Sequence, residues 1–391
     1  MRILITGMCN FQDRLILNST CSGASSLAFP LQVKTYSNVL NEFNRCRNTG
    51  NYLISEAVCK LLEKHEPKYI PFWFFHDRLE RGDFFKSELR ELYDVCIFVT
   101  ANILNVDFDL SSEVRFLQEI DIPVVFMSIG VQNVSDLKSF SNPTFRAFIN
   151  ELKKDNRICF TRGASALKFL NSHDVQVVYD ACCPSSFLYS NNILKSLHSL
   201  KNGTLGNDTE IVFGGYIGGG IEKDLDINAM RSVSDSINYV LQDEPILFNI
   251  FSSCGSDQEI YEETTGKFLV KPISNDYDFS DSNVSFEAFF DPVQWRLRAS
   301  HADYAVGHRF HGNLVAMQSG VPSVFVAHDE RVLEMLSSLA FPFIPKNEWI
   351  QATNKRALIE EFIEKFDLEL SINNYMLKFE KFHNQLNVIF G

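Results

Sequence analysis

The chain of 391 residues has no apolar run close to the roughly 20 residues that a membrane-spanning helix needs. It also has little positive charge, because 36 Lys and Arg stand against 49 Asp and Glu and give a formal net charge of −13. Broad nucleic-acid binding needs a net basic surface, so the composition argues against it. An anionic substrate would need a local group of Arg and His side chains within this acidic protein.

Several common site motifs are missing. No Cys-x-x-Cys pair occurs among the nine irregularly spaced cysteines, so a zinc ribbon or a thioredoxin-like site has little support. No G-x-S-x-G, H-E-x-x-H or G-x-G-x-x-G is present either. We interpret Cys182-Cys183-Pro184 as core packing, since no basic residue flanks it. The cysteines indicate reduced thiols in a cytoplasmic protein, and Met1–Gly7 favours a first buried strand over a signal peptide.

What is present is an alternation of short apolar runs with segments of helical period. The predicted strands are 2–7, 95–102, 123–130, 158–162, 175–180, 210–215, 245–251, 268–272, 303–307 and 323–327. The predicted helices are 55–64, 112–120, 144–153, 163–171, 230–242, 292–301 and 312–319. Strands that are apolar on both faces and separated by helices indicate an α/β fold with parallel sheets covered on both sides.

The polar, Gly- and Asn-rich segment 196–208 predicts a linker between two α/β domains. We place the domains at 1–200 and 205–354. Residues 355–391 have helical spacing and are expected to form terminal helices that pack back on the first domain. A long insertion of about 10–46, whose first 35 residues (10–44) lack a clear period, is expected to form a loop over a site.

The most informative stretch is Ala302–Asp329. A short predicted strand ends in His308-Arg309-Phe310-His311-Gly312. A helix follows this segment, and Gly320 and Pro322 mark the end of that helix. Ligands of open α/β sheets bind at such strand ends, and the free N–H groups of the next helix favour an anion. We therefore predict a ligand site here. A metal site at His308-x-x-His311 is disfavoured, because no acidic or thiol partner follows at a ligand spacing.

Three further segments are weaker candidates. Arg162-Gly163 joins a strand to a helix, and Arg162 there is either a ligand-binding or a solvated residue. The segment Arg47-Asn48-Thr49-Gly50-Asn51 precedes a helix and favours a turn, with anion binding as the alternative. The glycine-rich segment 214–220 allows close backbone approach by a ligand but matches no nucleotide-binding motif.

Taken together, these segments resemble the polysaccharide pyruvyl transferase family. The matching elements are Asn48-Thr49-Gly50-Asn51-Tyr52-Leu53-Ile54, then Arg162-Gly163-Ala164-Ser165, then Asp303, Gly307, Arg309 and His311, followed by Gly320-Val321-Pro322. They cover the chain from about Asn48 to Asp329. One position departs from the family pattern, since Asn51 stands where the family usually has Asp.

The resemblance implies two Rossmann-like domains that face each other across a cleft, as in GT-B glycosyltransferases. It implies transfer of pyruvate from phosphoenolpyruvate (PEP) to two hydroxyls of a sugar, with no metal and no bound cofactor. Arg309 and Arg162 would bind the PEP carboxylate or phosphate, and His311 would transfer a proton or stabilise phosphate. Further expected substrate-binding residues are His308, Gly312, Asn313, Asn48, Gly50, Asn51 and Arg296, with Arg298 as a secondary candidate at the cleft.

Two alternatives remain open. One is a nucleotide-sugar glycosyltransferase of similar build, in which Glu330 would hold the ribose hydroxyls. The other is a non-catalytic family member acting as a scaffold, which Asn51 mildly favours and the retained Arg309 and His311 disfavour. Partners are expected to be PEP and a sugar or glycan acceptor, with membrane contact at most through a lipid-linked acceptor.

Overall fold

The computed structural model describes residues 1–8, 33–131, 142–203, 205–215, 232–242, 251, 253–270 and 284–391. In this part of the chain, one sheet has six parallel strands in the order β2-β1-β3-β4-β5-β6. Its strands are β1 (Ile3–Gly7), β2 (Lys68–Tyr69), β3 (Val95–Val99), β4 (Val124–Ile129), β5 (Arg157–Thr161) and β6 (Val178–Asp180). Strands β3 and β4 are buried at every position, as expected for a parallel sheet that helices cover on both faces.

A second sheet of the described residues has eight strands in the order β14-β13-β12-β7-β8-β11-β10-β9. They are β7 (Glu210–Gly214), β8 (Ser236–Val240), β9 (Tyr261–Glu262), β10 (Lys267–Phe268), β11 (Val284–Glu287), β12 (Tyr304–Gly307), β13 (Ser323–Ala327) and β14 (Phe343–Pro345). Six of the eight are parallel, and the short strands β9 and β10 add an antiparallel edge. The predicted α/β fold with parallel sheets is confirmed.

Helices separate most of the parallel strands. Those before β7 are α1 (Tyr36–Cys46), α2 (Gly50–Leu61), α3 (Phe72–Arg81), α4 (Lys86–Leu92), α5 (Ser111–Glu119), α6 (Pro143–Leu152), α7 (Ala164–Ser172) and α8 (Ser190–Leu200). Those after β11 are α9 (Pro292–Ala299), α10 (Phe310–Gln318), α11 (Glu330–Leu339), α12 (Lys346–Gln351), α13 (Lys355–Lys365) and α14 (Leu368–Phe390). Short 3₁₀ turns lie at Glu63–His65 and Pro184–Phe187.

Helix α10 packs in the cores of both sheets and is buried on all sides. Every one of its residues is buried, which is typical of a helix without a polar face. Phe310 and Leu314 belong to the apolar cluster around the first sheet, whereas Val315 packs in a cluster with residues of the second sheet. This one helix therefore contributes to the cores of both halves and fixes the strand end that precedes it.

Helix α2 has a similar position. Ile54 and Val58 pack with residues of β1 and β3, and Leu53 packs with residues of the second sheet. A buried ion pair joins α2 to α9, with Arg296 Nη2 at 2.5 Å from Glu56 Oε1 and Nη1 at 2.8 Å from Glu56 Oε2. Helix α2 thus connects the two halves through apolar contacts and through a buried ion pair.

Two predicted segments differ in the structure. Residues 230–242 are predicted as a helix, but 236–240 is the strand β8. The strand lies between β7 and β11, and its Ser236 and Asn238 alternate with Ile237 and Tyr239, which is the period of a strand. Asn238 is buried because its amide donates to Glu210 Oε1 at 2.8 Å. The predicted linker 196–208 is also wrong in its first part, since α8 continues to Leu200 and buries that side chain. The predicted strand 245–251 lies outside the described residues except for its last position.

Most of the expected insertion loop cannot be compared, because residues 9–32 lie outside the described residues. Its end is not a loop, because Thr35 accepts a hydrogen bond from the Asn38 N–H and begins helix α1. Val39 and Phe43 of this helix are buried in the cluster of the second sheet, where the Phe43 ring meets Phe290 edge-on at 5.1 Å. The irregular composition did not predict this helix, because the residues that it packs against are far away in the sequence.

The C-terminal helices divide between the two cores. In α13, Ile359 and Ile363 pack in the cluster of the second sheet. In α14, Phe382 stacks on Phe187 at 4.5 Å, and Lys378 forms an ion pair with Asp180 at 2.8 Å. The last helix therefore lies on the end of β6 and on the 3₁₀ turn that follows it. No helix among the described residues is long and apolar enough to cross a membrane.

Candidate active site

Loops that follow the carboxyl ends of strands in both sheets surround one cavity of about 670 Å³. The first sheet contributes the ends of β1, β3 and β5, and the second contributes the ends of β12 and β13. Carboxyl ends of parallel strands meet at one edge of a sheet, so residues distant in sequence converge here. The size is within the range of small-molecule sites.

A close contact between the ends of β7 and β12 positions Arg309 at this cavity. The N–H groups of His308 and Arg309 both donate to the Gly214 carbonyl, at 2.8 and 2.9 Å. Gly307 has φ +158°, and a Cβ there would lie 2.5 Å from the same oxygen. Arg309 Nε also donates to the Gly215 carbonyl at 3.2 Å. Gly307 thus allows β12 to approach the end of β7 closely, and the carbonyls of Gly214 and Gly215 hold the arginine. The later glycines of that segment lie outside the described residues.

The cavity is strongly basic. Among the described residues, its lining includes the carboxylates of Glu113 and Asp329 and the basic side chains of Arg47, Arg162, Arg309, Arg331 and Lys346. This local excess stands against the acidic charge of the whole chain, which favours a small anionic ligand.

Arg331, like Lys346, is a residue of this group that sequence reasoning missed. Burial lowers the pKa of its guanidinium, Asp329 opposes that shift, and the charges of Arg162 and Arg309 lower the pKa further. Its Nη2 donates to Asp329 Oδ2 at 3.0 Å. The three guanidinium groups are therefore close enough to repel one another. Burial alone would raise the pKa of Asp329, but the hydrogen bond from His328 and the charge of Arg331 outweigh it and lower the pKa.

His311 lies at the cationic end of the cavity with 9% of its surface exposed. Burial and the charges of Arg162 and Arg331 hold the pKa of its imidazole well below the usual range. The ring is thus neutral at pH 7, whereas a residue titrating near neutrality was expected. Nε2 lies 3.4 Å from Cys183 Sγ, and a Cβ at Gly50 would lie only 2.6 Å from Nδ1. The absence of a side chain at position 50 leaves this edge of the ring open.

The structure brings several predicted residues to the cavity. Arg162 follows β5 and donates from Nη1 to Asn102 Oδ1 at 3.4 Å. Asn48 and Asn51 line the cavity from the turn before and the first part of α2. The amide of Asn51 donates to the Cys46 carbonyl at 2.9 Å, so at this position a neutral side chain holds the turn. His308 is buried but also contributes to the lining.

Other predicted residues lie elsewhere. Arg296 does not line the cavity, because its guanidinium is bound to Glu56 and also donates to Gln318 Oε1 at 3.3 Å. Arg298 is likewise bound, with Nε 2.8 Å from Glu287 Oε1. These corrections have one physical reason: a buried arginine needs a fixed counter-charge, and the fold supplies one in each case.

The start of α10 also differs from the prediction. Arg309 is the N-cap and the helix begins at Phe310, so Gly312 and Asn313 lie inside it. Asn313 is fully buried and donates from Nδ2 to the Gly307 carbonyl at 2.7 Å, and a Cβ at Gly312 would lie 2.8 Å from Gln242 Nε2. Neither lines the cavity, and both support the strand end that carries Arg309.

One wall of the cavity is aromatic. It includes Phe72, Phe98 and Phe108, and Phe108 is 44% exposed. Glu113 of α5 also lines the cavity, and burial raises the pKa of its carboxyl. Asn102 lines the cavity beside Arg162. The cavity therefore offers guanidinium groups, aromatic rings, a carboxyl and an amide.

Within the described residues, no group of three His, Cys, Asp or Glu side chains is arranged to hold a metal ion. A predicted alternative placed Glu330 on a nucleotide, but Glu330 is exposed at the start of α11 and does not line the cavity. A neighbouring residue, Glu334, instead accepts from the Ser165 N–H at 3.3 Å and from its hydroxyl. It thereby caps α7, the helix that follows Arg162.

The fold and the cavity define an α/β protein with two largely parallel sheets and a cavity that is rich in basic side chains. The model of the family described as polysaccharide pyruvyl transferase matches residues 48–330, which is most of the chain. The chain belongs to the polysaccharide pyruvyl transferase family and is thereby one of the transferases of polysaccharide modification. No curated protein matches it significantly.

Solved structures that are similar to this chain have low sequence identity. A functionally uncharacterised protein of Klebsiella pneumoniae is 15% identical, with 76% of this chain and 88% of that chain covered and a TM-score of 0.39. UDP-GlcNAc 2-epimerase of Neisseria meningitidis, solved with UDP-GlcNAc, is 10% identical, with 97% and 99% covered and a TM-score of 0.44. The same enzyme of Methanocaldococcus jannaschii is 9% identical, with 94% and 92% covered and a TM-score of 0.44. These likenesses carry no functional information.

Proposed function

We propose that the protein transfers pyruvate from PEP to two hydroxyls of one sugar in a polysaccharide or glycan precursor and forms a cyclic ketal. The observation that carries this proposal is the group of Arg162, Arg309 and Arg331 beside His311 in one cavity of an acidic chain. The phosphate and the carboxylate of PEP both fit the fork of a guanidinium. Membership of the family supports a sugar as acceptor.

The reaction needs one proton at the methylene carbon of PEP. Protonation there makes C2 electrophilic, one sugar hydroxyl adds to C2, and the second hydroxyl then displaces phosphate with cleavage of the C2–O bond. Of the two hydroxyl protons, one balances the proton taken up by the methyl group and the other leaves with phosphate. The arginines bind the donor and the leaving phosphate, and they stabilise charge as it develops on that oxygen.

His311 is suited to the proton transfers in a way that depends on the donor. Without ligand, the charges of Arg162 and Arg331 help to keep the imidazole neutral. A bound dianionic phosphate and a carboxylate offset those charges, so the affinity of His311 for a proton rises when PEP binds. Once protonated, the imidazolium donates a hydrogen bond to the leaving phosphate or passes a proton to the substrate.

The aromatic wall suits the acceptor. Sugar rings present C–H faces to aromatic rings such as Phe108, and their hydroxyls require acceptors and donors such as Glu113 and Asn102. A raised pKa brings the Glu113 carboxyl closer to the range in which it exchanges protons at neutral pH. We also propose a cytoplasmic location, no resident cofactor, and membrane contact at most through a lipid-linked acceptor.

The test is to incubate the protein with PEP and a panel of p-nitrophenyl hexosides. We expect release of phosphate that depends on one of these sugars, together with a new ketal methyl signal by NMR. Absence of PEP binding in a thermal-shift titration would refute the proposal, because a ligand raises the midpoint of unfolding by mass action. A shift with UDP in place of PEP would instead support a glycosyltransferase. Saturable PEP binding argues against a scaffold.

Glu113→Gln separates the acceptor from the donor. The variant keeps the size of the side chain but loses the carboxylate, so we expect a rise in the KM for the accepted hexoside and an unchanged PEP-induced thermal shift. Glu119→Gln on the same helix, at an exposed position outside the cavity, is the matched control. Equal acceptor KM values for wild type and Glu113→Gln would remove Glu113 from the acceptor site.

A further inference from the structure

Cys183 lies in a fixed position beside the imidazole of His311. Its Sγ is 3.4 Å from His311 Nε2 and 2.9 Å from Ser185 Oγ. Both Cys183 and Ser185 are fully buried, and neither lines the cavity. The contact therefore closes the Nε2 edge of the ring on the side away from the substrate.

The backbone around this thiol is held on several sides. The 3₁₀ turn that follows Cys183 begins with Pro184, and the Ser186 N–H donates to the Cys183 carbonyl at 3.0 Å. Gln318 Nε2 of helix α10 donates to the Ser185 carbonyl at 2.7 Å. Since His311 lies on the same helix, thiol and imidazole are anchored to one rigid element.

The direction of the hydrogen bond follows from the chemistry of its partners. The imidazole is neutral, because burial and the charges of Arg162 and Arg331 lower its pKa, so one of its nitrogens is an acceptor. An imidazole nitrogen accepts well and a thiol sulfur accepts weakly, so the S–H donates to Nε2. The Ser185 hydroxyl then donates to sulfur. This chain of donors leaves the proton of the neutral ring on Nδ1.

The opposite edge of the ring is open for a different reason. A Cβ at Gly50 would lie 2.6 Å from Nδ1 and 2.8 Å from the side-chain oxygen of Asn48, a residue that lines the cavity. Glycine at position 50 therefore keeps side-chain atoms away from Nδ1. The chain thus occupies Nε2 with a thiol and places no side chain of residue 50 against Nδ1.

We infer that Cys183 is a positioning residue, whose thiol fixes the neutral ring of His311 as the Nδ1-protonated tautomer, so that Nδ1–H is the hydrogen-bond donor that the ring presents to the substrate phosphate. The part that concerns substrate rests on the proposed function. The part that concerns the tautomer rests only on the contacts of Cys183, Ser185 and Gly50 with the ring. Neither part assigns a covalent role to the thiol.

The tautomer is measurable without substrate. In the full-length protein labelled with 15N-histidine, long-range 1H–15N correlation at pH 7.5 distinguishes protonated from unprotonated ring nitrogens, and His311→Gln assigns the signal. We expect an unprotonated Nε2 and a protonated Nδ1 in the wild type. Cys183→Ala should move both nitrogen signals toward the average of two tautomers, and Cys183→Ser, which retains a donor, should restore most of the difference.

Cys182→Ala is the matched control, because Cys182 is a neighbouring buried cysteine for which the structure gives no contact with His311. It should leave both signals unchanged. The inference is overturned by a protonated Nε2 in the wild type, or by signals that Cys183→Ala does not move. If Cys183→Ala does not fold, the wild-type tautomer and Cys183→Ser decide the question.

Kinetics then link the tautomer to the reaction. Loss of one neutral hydrogen bond predicts a fall of roughly threefold to tenfold in kcat for phosphate release with Cys183→Ala, at unchanged KM for PEP. The acidic limb of its pH profile should shift, since Arg162, Arg331 and Cys183 are the charged and titratable groups that face the ring. An unchanged kcat and pH profile would overturn the substrate part. A wild type that does not bind PEP would refute the proposed function and leave the tautomer result intact.

Discussion

Replacement of Arg331 by Gln tests whether the cationic cavity binds the donor. Arg331 is buried beside Arg162 and Arg309, and burial together with their charges already disfavours its own charge. The guanidinium therefore stands desolvated before the ligand arrives, and an anion gains its full charge-assisted hydrogen bonds. Such bonds contribute about 1.5–3 kcal/mol each, which corresponds to roughly a tenfold to 150-fold loss of PEP affinity in the variant.

Isothermal titration calorimetry with PEP at fixed ionic strength measures this loss. Arg90→Gln is the matched control, since Arg90 pairs with Asp121 at the surface and its side chain is 73% exposed. Its PEP affinity should equal that of the wild type. The unliganded Arg331→Gln protein should unfold within a few degrees of the wild type, because the lost pairing with Asp329 is offset by relief of burial and of repulsion from the other arginines. A dissociation constant within twofold of the wild-type value would refute the reasoning.

Three further changes probe other parts of the structure. Glu56→Ala leaves Arg296 buried without its counter-charge and should lower the free energy of unfolding in urea by about 3–5 kcal/mol; a loss below 1 kcal/mol would contradict a buried pair. Gly50→Ala places a Cβ 2.6 Å from His311 Nδ1 and should abolish most phosphate release, whereas Gly255→Ala, which meets open space, should not. His311→Gln should flatten the acid dependence of stability. The folded-state pKa of His311 is lowered, so its contribution to the free energy of unfolding is present above the unfolded pKa of about 6.5. Below that pH the contribution is lost by up to about 1.4 kcal/mol per pH unit. Equal slopes of unfolding free energy against pH for both proteins between about pH 7.5 and 5.5 would contradict a lowered pKa.

The sequence by itself determined the fold class and the best part of the site. Short apolar runs between helical segments fix parallel sheets, because a strand buried on both faces has no polar side. The order strand, His-Arg-x-His, helix fixes the position of Arg309 and His311 at a carboxyl end, since that geometry is local. Arg162 follows from the same local rule at β5.

Only the tertiary structure decided which distant residues lie near Arg162, Arg309 and His311. Arg331 and Cys183 have ordinary local sequences. Arg331 lines the cavity because it follows the end of β13, and Cys183 contacts the His311 imidazole because the turn after β6 packs against it. Arg296 matches the local pattern of a cleft arginine, but the fold places Glu56 against it. The physical reason is that a strand end is set by neighbours in the chain, whereas the partner of a buried charge is set by the packing of elements far apart in sequence.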